Sequence, residues 1–187
     1  GEEVILVEPT FDIYPAQVQL AGGICKYAEL ALVNGEWKLD FDKLEALITP
    51  ATKVLLLTTP HNPTGKMLSR AELEEVASIL RRHPHVTAVV DEVYEKITYD
   101  GREHVRLASL PGMFERTITV ASVGKTFSCT GWKAGWAYGG SNLIKPLQLV
   151  NQWVIYCLNT PTSRAVADII RKADEEFEGH ASYYEFI

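Results

Sequence analysis

Cysteine is scarce in this chain. Cys25, Cys129 and Cys157 stand far apart with no C-x-x-C pair, so neither a zinc site nor a disulfide scaffold is indicated. Long apolar runs are missing too, because Lys53, His61, Asp91 and Lys96 interrupt the greasiest regions; no membrane span and no membrane partner are expected. Positive charge is in deficit, with 18 Lys and Arg against 24 Asp and Glu. A nucleic-acid partner, which needs a basic surplus to neutralise phosphates, is therefore not expected. The opening Gly1-Glu2-Glu3 has neither the basic nor the apolar part of a signal peptide. No G-x-G-x-x-G occurs. Gly124-Lys125-Thr126 looks like the end of a P-loop, but Thr119 stands where that loop needs its first glycine. Ser122 is no nucleophile elbow, since Val120 takes the place of the first glycine there. The five histidines are scattered, and no metal is expected.

What is present is an ordinary globular composition, 47% apolar and 22% charged over 187 residues. It excludes disorder, collagen and coiled coil. Val4–Val7 reads as a buried strand closed by Glu8-Pro9, and Phe11–Ala21 as a helix stopped by Gly22-Gly23. Ile24–Tyr27 is a second strand. Asp40 caps a helix carrying Leu44 and Leu47, and Val54–Thr58 is the clearest buried strand. Ser69 and Glu72 form a capping box for a helix that runs to Arg82, with Leu73, Val76, Ala77 and Leu80 as its apolar stripe. Strands follow at Thr87–Val90, Thr117–Val120 and Ala134–Tyr138, the last expected to run antiparallel. Ser141 is expected to cap a long helix through Pro146 to about Tyr156, and Pro161 to begin the last one. This alternation predicts a three-layer α/β/α fold around a mainly parallel sheet, buried on both faces.

In such a sheet, ligands sit beyond the carboxyl ends of the strands. Three apolar strands deliver polar groups there. Leu57 leads to Asn62, Val90 to Asp91 and Tyr94, and Val120 to Ser122 and Lys125. Taken singly, each loop is ordinary turn chemistry; together they bring an amide, a carboxylate, a phenol, a hydroxyl and an amine to one crevice. An enclosed lysine can form a Schiff base with an aldehyde cofactor. A carboxylate keeps a pyridine nitrogen protonated and makes the ring an electron sink. A phenol and an amide can bind the ring oxygen, and a hydroxyl with a second amine can hold a phosphate. The cofactor with those needs is pyridoxal 5′-phosphate.

Pro60-His61-Asn62-Pro63-Thr64-Gly65-Lys66, Asp91-Glu92-Val93-Tyr94 and the segment from Ser122 to Lys133 stand in order. From Val4 to at least Ala167 the chain resembles class I aminotransferases of fold type I, most of all the kynurenine aminotransferase and glutamine transaminase group. The resemblance implies that Lys125 bonds the cofactor and moves the substrate proton. It implies that Asp91 pairs with the ring nitrogen, that Tyr94 and Asn62 bind the ring oxygen, and that Ser122 and Lys133 bind the phosphate. Phe11 matches the aromatic residue that stacks on the ring. Lys133 departs from the wider class, which often has arginine there. Tyr156 matches an aromatic residue that approaches a partner subunit's site.

Complete members of that class are longer at both ends, so the resemblance implies a central piece of the cofactor domain, with about six of the usual seven strands. Residues 1–170 are read as a partial cofactor domain and 171–187 as the start of a segment leading to a smaller one. No residue here matches the family's phosphate cup or its arginine for the substrate carboxylate. The expected activity of the parent protein is amino transfer from an L-amino acid (kynurenine, glutamine, methionine or aromatic) to a 2-oxo acid, in a homodimer. The chain alone is expected to be inactive. Open alternatives are a cysteine-conjugate β-lyase, an aspartate-type transaminase, and a non-catalytic folded fragment. The compartment is expected to be cytoplasmic, or mitochondrial if a transit peptide precedes Gly1. Cis peptides are expected at Asn62-Pro63 and Glu8-Pro9.

Overall fold

The computed structural model describes residues 1–176; the remainder, expected to continue toward a further domain, lies outside the described residues. Strands β1 (Glu3–Glu8), β2 (Ile24–Val33), β3 (Glu36–Leu39), β4 (Thr52–Thr58), β5 (Thr87–Asp91), β6 (Thr117–Ser122) and β7 (Gly135–Tyr138) form one sheet in the order β3-β2-β1-β4-β5-β6-β7. The five strands from β2 to β6 are parallel. The flanking β3 and β7 are antiparallel, as expected for the segment ending at Tyr138.

Seven strands stand where about six were expected. The addition is β3, which pairs with β2 after that strand runs on past Tyr27 to Val33. The cause is the two-residue turn Asn34-Gly35, where φ is +51° and +81°. Only a residue pair tolerant of the left-handed region closes so tight a hairpin.

Two sets of helices cover the sheet. On one face α1 (Ile13–Leu20) sets Tyr14 and Val18 against Leu6, with Val4 and Leu56 beside them. On the other face α2 (Phe41–Ala46) and α3 (Arg70–Arg82) pack on Ile5, Val7, Leu55, Leu57, Ala88 and Val90. That alternation of neighbours along β1, β4 and β5 is the two-residue period of a sheet buried on both sides. Asp40 caps α2 by accepting from the Lys43 amide, and Ser69 and Glu72 close the expected capping box on α3. Two expectations at helix starts need correcting. Helix α1 begins at Ile13, which leaves Phe11 in the loop. Helix α5 (Ser141–Val154) has Gly140 as its N-cap and makes no side-chain cap bond, so Ser141 is its first residue rather than its cap. The helix continues through Pro146. Helix α6 (Thr160–Glu176) follows it.

Candidate active site

The chain runs outward from β1 to β2 and β3, then returns to β4 on the other side of β1. The reversal opens a crevice at the carboxyl ends of the strands, where open α/β sheets bind ligands. Loops leaving β1, β4, β5 and β6 line a cavity there of about 480 Å³. The seven residues expected to touch the cofactor all reach it: Phe11, Asn62, Asp91, Tyr94, Ser122, Lys125 and Lys133. Tyr156 does not; it is exposed, at a φ of +70°.

Asp91 is the last residue of β5. Its carboxylate accepts from the Val93 amide at 3.1 Å on Oδ1 and from the Tyr14 hydroxyl at 2.7 Å on Oδ2. Two donors on different oxygens leave the group little freedom to rotate. Burial, then the Asp91 charge, pushes the Tyr14 phenol well above the ordinary tyrosine range, so it stays protonated and donates. Across the cavity, the Asn62 amide donates to the Tyr94 hydroxyl at 3.3 Å. Asn62 is carried by a tight loop in which the Gly65 amide donates to the His61 carbonyl at 2.7 Å and the His61 amide to the Lys66 carbonyl at 2.8 Å. Burial lowers the affinity of the His61 ring for a proton, and its Nδ1 lies 2.8 Å from Thr64 Oγ1. The peptides Glu8-Pro9 and Asn62-Pro63 are cis as expected, and Thr59-Pro60 is cis as well.

Ser122 ends β6 and accepts from the Gly124 amide at 3.3 Å, capping the single turn α4 (Val123–Thr126) that carries Lys125. The half-buried Lys125 amine stands 5.8 Å from the centre of the Tyr94 ring. Lys133 has a φ of +52°, the left-handed conformation, at the end of the turn Thr130–Trp132. Phe11 meets Tyr14 edge to face, with ring centroids 5.5 Å apart. Gly135 of β7 completes the wall: a Cβ there would lie 2.9 Å from the Ala121 carbonyl oxygen and 3.2 Å from the Ser122 Cβ.

Tyr14 and Thr130, to which sequence reasoning assigned no role in the site, also line the cavity. Tyr14 had a signal, since it follows Phe11 by three positions and so shares its side of the helix entry. Thr130, whose hydroxyl donates to the Gly124 carbonyl at 3.0 Å, had none.

A second polar cluster lies behind the strand ends. The fully buried Glu92 faces His104 Nε2 at 3.1 Å and Arg106 Nε at 3.4 Å. Among the described residues Glu92, Glu95 and His104 come close enough together to hold a metal ion. Arg106, however, pairs with both carboxylates, so a protein cation already occupies that role.

The donor set of the cavity suits pyridoxal 5′-phosphate. It has one fixed carboxylate for a ring nitrogen, an amide and phenol for a ring oxygen, an amine for an aldehyde, and a hydroxyl and second amine for a phosphate.

Comparison with known proteins gives the same direction. The model of the family "aminotransferase class I and II" matches residues 1–185. A kynurenine–oxoglutarate transaminase of Dictyostelium discoideum is 46% identical over 181 residues, covering 89% of this chain and 42% of that protein. Kynurenine–oxoglutarate transaminase 1 of Rattus norvegicus is 42% identical over 193 residues, 98% of this chain and 45% of its own. Among solved structures, the N-succinyldiaminopimelate aminotransferase of Mycobacterium tuberculosis superposes with a TM-score of 0.90 at 39% identity, covering 94% of this chain and 45% of that one. The chain thus spans less than half the length of these relatives.

Proposed function

We propose, since the chain belongs to the class I and II aminotransferase family, that it forms the cofactor crevice of a pyridoxal-phosphate aminotransferase. The reaction would pass an amino group from an L-amino acid, of the kynurenine, glutamine, methionine or aromatic kind, to a 2-oxo acid. Kynurenine heads that list because two relatives at 42% identity or more carry it in their names. One observation carries the reading: Asp91, fixed by two donors, and the Lys125 amine face a single cavity from neighbouring strand ends.

When bound, the cofactor supplies an electrophilic aldehyde and a ring that accepts an electron pair. Asp91 holds a proton on the ring nitrogen through its fixed carboxylate. Asn62 and Tyr94, already bonded to one another, offer donors to the ring oxygen beside the aldehyde. Phe11 lines the cavity and would stack its ring on the cofactor, and Ser122 and Lys133 would bind the phosphate. Lys125 would supply the amine for the cofactor's aldehyde, and the same amine would take and return the proton at the substrate Cα. We assign to this protein a homodimer as its working assembly, since large apolar side chains of α5 stand in solvent.

The test is direct. The chain is mixed with pyridoxal phosphate, reduced with borohydride, and digested, and the modified lysine is located by mass. Modification concentrated on Lys125, lost in Lys125→Ala, is expected; labelling spread evenly over the lysines would reject the reading.

A further inference from the structure

Tyr14 is not among the residues that the sequence motifs mark, yet its hydroxyl sits at the hub of the cavity wall. The side chain is 8% exposed and packs with Leu6 and Val18. Packing alone would be served by phenylalanine. A buried hydroxyl costs free energy unless it is hydrogen-bonded, so its partners identify its use. They are Asp91 Oδ2 at 2.7 Å and Thr58 Oγ1 at 3.2 Å. Thr58 and Asp91 are register partners at the carboxyl ends of β4 and β5. One phenol from α1 therefore ties both strand ends together and orients the carboxylate between them.

We infer that Tyr14 is a positioning residue for Asp91, holding that carboxylate turned into the cavity so that a shared proton stays on the cofactor's ring nitrogen. This rests on the proposed function. A hydrogen bond donated to a carboxylate stabilises its charged form. Without the bond one carboxylate oxygen loses its donor and the group is freer to rotate, so its hold on the ring nitrogen's proton weakens. The raised proton affinity of the phenol supports the direction of the bond, since Tyr14 is then the donor throughout the neutral range. The Val93 amide cannot replace it, because that amide serves the other oxygen.

The experiment compares the chain with its Tyr14→Phe variant, which keeps the ring and its edge contact with Phe11. Two measurements use pyridoxal phosphate labelled with ¹⁵N: its affinity, and the ¹⁵N resonance of the bound ring at fixed pH. The variant is expected to bind about tenfold more weakly, the effect of losing one hydrogen bond to a charged group. Its ¹⁵N resonance should move toward the neutral pyridine value. A purely structural tyrosine would move neither, and unchanged affinity and resonance in a folded Tyr14→Phe would overturn the inference. A third measurement needs no cofactor. With ¹³Cζ-labelled tyrosine, Asp91→Asn should shift the Tyr14 signal in the ligand-free chain, and an unmoved signal would also overturn it. If the unaltered chain takes up no pyridoxal phosphate on Lys125, the proposed function is rejected, and the ligand-free signal alone decides whether Tyr14 holds Asp91.

Discussion

Lys125 and Asp91 reach the cavity from adjacent strands, and each depends on a local device. Asp91 is held by the Val93 amide and the Tyr14 hydroxyl, and Lys125 is aimed by the turn that Ser122 caps. In a protein carrying this chain, Lys125→Ala should lower transamination by about 10⁴-fold, because bonding and proton transfer use one amine. Some cofactor binding should remain through Asp91 and Ser122, visible as non-covalent uptake of pyridoxal phosphate by dialysis. Near-normal turnover in that variant would sink the mechanism. Asp91→Asn should be almost as damaging in the same assay, since a neutral amide cannot hold the ring nitrogen protonated. The individual identities of these residues were readable from sequence because each ends or follows an apolar strand. Tyr14 was harder to read, because a tyrosine in an amphipathic helix looks like core until its hydroxyl's partners are known.

At the scale of elements, β7 lies so close to β6 that Gly135 has no room for a side chain. Gly135→Ala would force a Cβ against the Ala121 carbonyl and the Ser122 side chain, and overpacking of this kind costs about 1–3 kcal/mol. The expected outcome is a lower melting temperature together with weaker uptake of pyridoxal phosphate. A loss of stability with unchanged uptake would show that Ser122 is not part of the cofactor site. Helices α2 and α3 are joined by Glu45, whose carboxylate accepts from Arg82 Nε at 2.7 Å and lies 2.9 Å from His83 Nε2. The Arg82 bond, then the His83 contact, hold the Glu45 carboxyl down at about 2. Its folded-state value is depressed, so the stabilisation is present above the ordinary glutamate range and is lost as pH falls toward 2. The pair is exposed and screened, so the effect is small. Glu45→Gln should melt slightly earlier than the unaltered chain at neutral pH, and the gap should close in acid. A gap that widens below pH 4 would contradict this assignment.

Across the whole molecule, coverage of the sheet is uneven. The face bearing Ile5, Leu55 and Ala88 is sealed by α2 and α3, whereas the stretch carrying Val89, Ile118 and Val120 opens on a cavity of about 550 Å³ beneath α5. Helix α5 buries none of its residues, and Trp153, Val154 and Ile155 stand in solvent. A contiguous apolar surface of that kind drives association. The chain is expected to sediment as a dimer or larger species at micromolar concentration, and Trp153→Asp to shift it toward monomer; a monomer at all concentrations would refute this. The sequence by itself determined the α/β class and the strand ends that carry chemistry, because apolar period and polar punctuation are local properties of the chain. Asn34-Gly35 was also a local signal for β3, though a short strand of mixed polarity conceals its pairing. Tertiary structure alone decided that β1 and β4 are neighbours, that Tyr14 spans Thr58 and Asp91, and that Arg106 fills the gap between Glu92 and Glu95. Each of these joins residues separated by many positions, and their meeting depends on strand order and packing that no local pattern encodes.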